Sequence, residues 1–284
     1  MAAPHQDNPA YVEAQVRQYD RDRYLTGLFA PQGLRPALWA LYAFNAELAR
    51  VRETVSEPMT GEIRLQWWRD AVSAMAEGGQ APHQPIAEEL AEAVKAGRVA
   101  ADDLHRLIDA RTPELYDDIP KDQAAFEARH AAIDGQVNAM AARLLGARER
   151  ETEAARAVGQ AWGMVMTLRH SGQYAALNRV RLPEDRMTAL GVTLKQLYQP
   201  GGSEGQRRLL GEVAASARAA LQKVPELMEG AGPQAPSPFL LAPLARHDLK
   251  ALARVDYDPC VDIAARGRPG RILKLYWAAA RGRF

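Results

Sequence analysis

The chain has 284 residues, 47% of them hydrophobic and 25% charged, with 36 basic against 35 acidic side chains. That composition supports one large domain or two ordinary ones and leaves no bulk charge to recruit nucleic acid. A single cysteine, Cys260, excludes an intrachain disulfide and argues against a cysteine-based zinc site, and no apolar run approaches the roughly 20 residues that cross a bilayer.

The opening stretch MAAPHQDNPAYVEAQV lacks the apolar core of a signal peptide and carries acids that argue against a transit peptide. A cytoplasmic protein is expected, with residues 1–18 as a short N-terminal extension. Beyond it, apolar residues recur at three- and four-residue spacings and alternating β-branched runs are missing, which predicts an all-α chain. From Pro36, the residues Leu38, Leu41, Tyr42, Asn45, Leu48 and Ala49 fall on one stripe, and Pro36 sits where a helix can begin. This helix runs toward Glu53 and Glu57, four residues apart and on one face. A second helix, GEIRLQWWRDAVSAMAEGG, is closed by Gly78 and Gly79. QAPHQPIAEELAEAVKAGRV reads as a turn and a short helix, and ADDLHRLIDARTPELY as another with acids in its first turn.

KDQAAFEARHAAIDGQVNAMAARLLG predicts one long helix ended by Gly146. The next, from about Glu151 to Leu177, is apolar or small on two adjacent faces, which marks a central helix. NRVRLPEDRM breaks the pattern at Pro183, while residues 200–205 and EGAGPQAPSPF read as loops inside a chain that stays helical on both sides. The sum is one all-α domain of roughly ten helices.

The strings YLTGLFAPQGLRPALWALYAFNAEL, QWWRDAV, HQPIAEEL, GMVMTLRHSGQYAALNRVRLPED and RILKLYWAAA, in that order, resemble the squalene/phytoene synthase family over about Tyr19 to Trp277. The resemblance implies a single-domain isoprenoid synthase (trans-prenyltransferase) fold over residues 1–284, a helical bundle around a central cavity. In catalytic members of that family two Asp-x-x-x-Asp motifs face each other across the cavity. Residues i and i+4 share a helix face, so each motif offers two hard oxygen ligands to Mg²⁺, which neutralises a departing diphosphate.

Aligned by LYAF, the first motif falls on Ala49 and Glu53; aligned by the flanking LR and RVRLP, the second falls on His170 and Tyr174. Three of the four carboxylates are missing, and no acidic residue occurs from Arg156 to Arg181. Glu47 is rotated about 200° from Ala49 and away from the cavity face, Glu57 is placed to reach the mouth, and the His170 imidazole suits softer metals than Mg²⁺. No metal or other cofactor is expected; under the alternative reading, a prenyltransferase that condenses two prenyl diphosphates, Glu53 would hold Mg²⁺.

FNAELARVRETVSE, HQPIAEEL and the acid-free second motif are similar to the branch of the family typified by the mitochondrial complex I assembly factor 6. This resemblance implies a non-catalytic protein of respiratory complex I assembly. Its partners would be complex I subunits or assembly factors, and its place the periphery of the inner membrane, on the matrix side in eukaryotic relatives.

Several side chains carry two readings each. Arg169, Arg179 and Arg181, with Tyr42 and Trp67, are candidates for holding an anionic head group or a prenyl or lipid ligand, because Arg forks match phosphate oxygens. The plainer reading, which is favoured, leaves Arg179 and Arg181 as exposed loop residues and pairs Arg169 with Asp134 or Glu53. Trp67 and Trp68 suit a ligand channel or, more commonly, core or membrane contact. The tail RGRPGRILKLYWAAARGRF sets Arg266, Arg268, Arg271, Lys274, Arg281 and Arg283 around an apolar segment, which fits an anionic membrane surface or a last core helix with a solvated basic end. His5, His83, His105, His130 and His247 lack ligand spacing and read as structural or exposed.

Overall fold

The computed structural model describes residues 8–79, 81–199, 202–229, 235–258, 261 and 268–281. Cys260, His5, Arg266 and Arg283 lie outside them, as do parts of both predicted loops. The described residues are mostly helical, with no strand among them. In chain order the helices are α1 (Asn8–Tyr19), α2 (Arg21–Gly27), α3 (Arg35–Thr54), α4 (Pro58–Ala76), α5 (Pro85–Lys95), α6 (Ala101–Leu115) and α7 (Gln123–His130). There follow α8 (Gln136–Leu144), α9 (Glu149–Ala176), α10 (Glu184–Ala189), α11 (Leu194–Leu197), α12 (Glu204–Gln222), α13 (Val224–Leu227), α14 (Leu241–Arg254) and α15 (Arg268–Arg281).

Local chemistry sets most boundaries where the pattern predicted them. Pro36 occupies the first turn of α3, and Pro58 starts α4 three residues ahead of the expected Gly61. Gly146, at φ 88°, takes the left-handed conformation that stops α8. Residues 8–18 of the expected N-terminal extension (1–18) lie in α1, whose buried Val12 and Val16 pack on α3 and α5.

One feature of the long predicted helix is absent from its pattern. Between α7 and α8 the winding loosens into a π turn, Ala131–Gly135. Such turns recur at functional sites because the extra residue redirects neighbouring side chains.

Two apolar cores result. One joins α1, α3, α4, α5, α6 and α8 around Tyr42, Phe44 and Leu104; the other joins α9, α12 and α14 around Trp162, Val213 and Phe239. The central helix α9, about 42 Å long at 1.5 Å per residue, belongs to the second core and carries one wall of the space between the two.

Candidate functional site

That space is a cavity of about 490 Å³, within the range of small-molecule sites. Asp20, Asp22 and Arg23 reach it from the α1–α2 junction, and Asn45, Ala49 and Glu53 from α3. Arg111 and Glu114 come from α6, Arg129, His130 and Asp134 from the end of α7 and the π turn, and Trp162, Met166, Thr167, Arg169 and Tyr174 from α9, with Arg181 beyond it. Seven arginines face five carboxylates around the wall, so the cavity favours an anion over a cation and is far from a purely apolar channel.

The π turn places the first charged cluster. Asp134 Oδ2 lies 3.0 Å from His130 Nδ1, His130 Nε2 lies 3.2 Å from Thr167 Oγ1, and Arg23 Nη2 lies 3.6 Å from Asp134 Oδ1. Helix α9 comes close enough for this only because it presents Gly159 and Gly163. A Cβ at Gly163 would meet the Asp134 carboxylate and the His130 ring, and one at Gly159 would meet the Asp134 carbonyl. Burial pushes the Asp134 carboxyl up, but the His130 hydrogen bond and the charges of His130, Arg23 and Arg111 outweigh it and hold the pKa at about 2.

A carboxyl held this low adds stability that is complete above its unfolded pKa and vanishes as pH falls through the folded one. Asp134 therefore contributes about 2 kcal/mol that is lost between about pH 4 and pH 2. Asp134→Asn should flatten this acid limb in melts followed by circular dichroism, leaving a smaller difference in Tm between about pH 5 and pH 2.5 than in the parent. An unchanged acid limb would show that Asp134 is not held in its charged form.

A second cluster closes the wall opposite α9. Arg111 Nη1 donates to Glu114 Oε2 at 2.9 Å and Arg111 Nη2 to Asn45 Oδ1 at 2.8 Å, and both charged side chains are only 8% exposed. Arg181 reaches Glu114 Oε1 at 3.5 Å and lies 4.3 Å over the Tyr174 ring. Burial raises the Glu114 carboxyl, yet Arg111 and Arg181 together bring it below its ordinary value. Burial also raises the Tyr174 phenol, which stays protonated at neutral pH.

Arg129 is different. It is half-buried, burial lowers its pKa, and it has no hydrogen bond or ion-pair contact among the described residues. With the exposed Arg21, it is one of two arginines of this wall that make no such contact among the described residues.

The structure sorts the sequence-derived candidates. Ala49 and Glu53 sit one turn apart on the wall, as the first motif predicts, but Ala49 offers no donor. Tyr174 lies across from them, whereas His170 is absent from the wall and donates Nδ1–H to the Met166 carbonyl at 2.8 Å. Glu47 points away, toward Arg50, and Glu57, at the boundary just before α4, does not reach the wall.

Arg169 reaches the cavity but is bound at 3.3 Å by Asp22 and at 3.2 Å by Asp248, not by Asp134 or Glu53. Arg179 and Arg181 are not exposed loop residues: Arg179 pairs with Asp117 at 3.4 Å, and Arg181 with Glu114. Tyr42 does not face the cavity. It is fully buried in the α3 core, where burial raises its pKa. Trp67 lines a separate surface cleft of about 400 Å³ with Arg50 and Arg64. His130, expected to be structural or exposed, is part of the wall.

The donor set does not fit a magnesium cluster. Of the four motif positions only Glu53 supplies a carboxylate, and among the described residues no group of three or more His, Cys, Asp or Glu is placed to hold a metal ion. The sequence did not single out Arg111, Glu114 or Arg129, and it named His130 only as structural or exposed and Asp134 only as a partner for Arg169. The i,i+3 spacing of Arg111 and Glu114 and the i,i+4 spacing of His130 and Asp134 were the local signals.

Three comparisons bear on this arrangement. Residues 16–272 match the family model described as squalene/phytoene synthase. The chain is 30% identical over 86% of its length to the mouse "NADH dehydrogenase (ubiquinone) complex I, assembly factor 6", covering 73% of that protein. It is 26% identical over 95% of its length to the homologue of that factor from Drosophila melanogaster, covering 82% of it. Among solved structures, a ligand-bound dehydrosqualene synthase superposes with a TM-score of 0.84 at 18% identity, over 97% of this chain and 96% of that one. Squalene synthase from Alicyclobacillus acidocaldarius superposes with a TM-score of 0.76 at 18% identity, over 89% and 95% of the two chains. At such identities the two structures establish the fold alone.

Proposed function

Because the chain belongs to the squalene/phytoene synthase family, we propose that it is a non-catalytic member that keeps the isoprenoid synthase fold and acts in assembly of respiratory complex I. The observation that carries this reading is the exchange made at the cavity. Where the family's chemistry needs four facing carboxylates, this chain has Ala49, one glutamate, a phenol and an imidazole turned to its own helix. Its buried acids Glu114 and Asp134 are already bound by arginine or histidine.

Diphosphate departure into the cavity would lack the charge neutralisation that Mg²⁺ provides, so the protein works without that cofactor. Similarity to proteins named as complex I assembly factors supplies the biological side of the reading. Complex I subunits or other assembly factors are the partners, and the work is done at the surface of the membrane that carries the complex. The cavity retains the capacity to hold a prenyl or lipid phosphate without turnover, with Arg129 rather than Arg169 as the contact.

Deleting the gene is expected to lower complex I content and membrane NADH oxidation severalfold, and normal levels of both would overturn the assembly role. Purified protein given farnesyl diphosphate and Mg²⁺ is expected to release no diphosphate. Release that disappears in Glu53→Gln would instead identify a prenyltransferase. If the cavity holds phosphate esters, Arg129→Ala should weaken farnesyl diphosphate binding about tenfold in calorimetry, the cost of one charge-assisted contact. Equal affinity in the variant would remove Arg129 from the site.

A further inference from the structure

Helix α15 was open to two readings in the sequence, and the structure gives it two faces. Leu275 and Ala278 are buried against α14 and the 3₁₀ turn Ser237–Leu240. On the opposite side Leu273, Tyr276 and Trp277 are 61%, 68% and 53% exposed, three large apolar side chains within five residues of one another. The Tyr276 ring meets Phe29 edge-on at 6.1 Å, beside the exposed Leu28, so the apolar surface continues onto the segment after α2.

Lys274 and Arg281 are seven residues apart, two turns of helix, and both line the edge of this face next to Trp277. The Arg281 guanidinium sits 4.2 Å over the Trp277 ring. From Arg266 to the end of the chain there are six basic residues and no acidic one, in a protein whose overall charge is +1. An apolar face with aromatic side chains and a basic edge is the chemistry of a helix lying in the plane of an anionic bilayer.

We propose that the Leu273–Tyr276–Trp277 face of α15 docks the protein on anionic lipid bilayers, its apolar side chains entering the acyl boundary and Lys274 and Arg281 meeting lipid phosphates. The inference rests on the membrane location proposed above but not on the role in complex I. Vesicle binding tests the first, and gene deletion the second.

The full chain should co-sediment with vesicles of phosphatidylcholine and phosphatidylglycerol, and hardly at all with phosphatidylcholine alone. Lys274→Gln with Arg281→Gln should weaken binding about thirtyfold, from about fivefold per cation near an anionic surface, and added salt should do the same. Tyr276→Ser with Trp277→Ser should weaken it by more than about tenfold through lost apolar burial. All four substitutions are at exposed positions, and helicity and Tm serve as folding controls. Absence of vesicle binding, equal binding to both lipid compositions, or binding unaffected by either pair overturns the proposal. So does a dimer in solution that Tyr276→Ser with Trp277→Ser dissolves, which would make a second copy of the chain the occupant of this face.

Discussion

Gly159→Ala should destabilise the protein by about 3 kcal/mol, at the upper end of what overpacking costs, even though alanine is the better helix former by about 1 kcal/mol. The added methyl group on α9 meets the Asp134 carbonyl and the Asn138 Cβ. That carbonyl belongs to the backbone of the π turn, which cannot yield without rewinding the segment that carries His130 and Asp134. Gly163→Ala is the informative comparison. Its methyl meets the Asp134 carboxylate and the His130 ring, which are side chains and can rotate, so the loss should be nearer 1 kcal/mol. Urea midpoints of the two variants test this order, and a Gly159→Ala protein as stable as the parent would show that α9 does not lie against the π turn.

Arg111→Met is expected to cost about 3 to 5 kcal/mol, the price of stripping a buried ion of its partner. The substitution keeps most of the side-chain volume but leaves Glu114 with only the 3.5 Å contact to Arg181, and Asn45 Oδ1 without its donor. Adding Glu114→Leu should recover a substantial part of the loss, because it removes the uncompensated carboxylate. Arg181 then keeps the face of Tyr174 and the nearby charge of Glu53. Equilibrium unfolding of the single and double variants yields the coupling energy directly. A double variant less stable than Arg111→Met would mean that Glu114 is stabilised chiefly by something other than Arg111.

If both results hold, the cavity wall is best described as a structural ion-pair lattice. The lattice accounts for a cavity that survives without collapsing. Its buried arginines and acids hold one another at fixed distances, and apolar side chains could not fill that space without leaving one of the charges unpaired.

Much of this was legible in the sequence. The three- and four-residue apolar spacing gave the helices, and Pro36, Gly78 and Gly146 gave several of their ends, because such signals act within a few residues of chain. The resemblance to the family placed its motif positions at Ala49, Glu53, His170 and Tyr174, of which only Glu53 has a side-chain carboxylate. The apolar stripe of α3 identified Tyr42 as inward-facing, but could not say whether inward meant the core or the cavity. The basic tail showed its charge, but not that α15 would bury Leu275 and leave Tyr276 and Trp277 outside.

Tertiary structure alone decided which distant charges meet. Arg169 finds Asp248, 79 positions away, and Arg111 finds Asn45, 66 positions away, pairings that no local pattern encodes. The π turn is likewise a tertiary choice: its residues satisfy an ordinary helical period, and it stands against the one stretch of α9 where two glycines make room. Periodicity and composition report what each residue prefers along its own helix. The site depends on where separate helices cross, which is set by packing and by the need to pair every charge that packing buries.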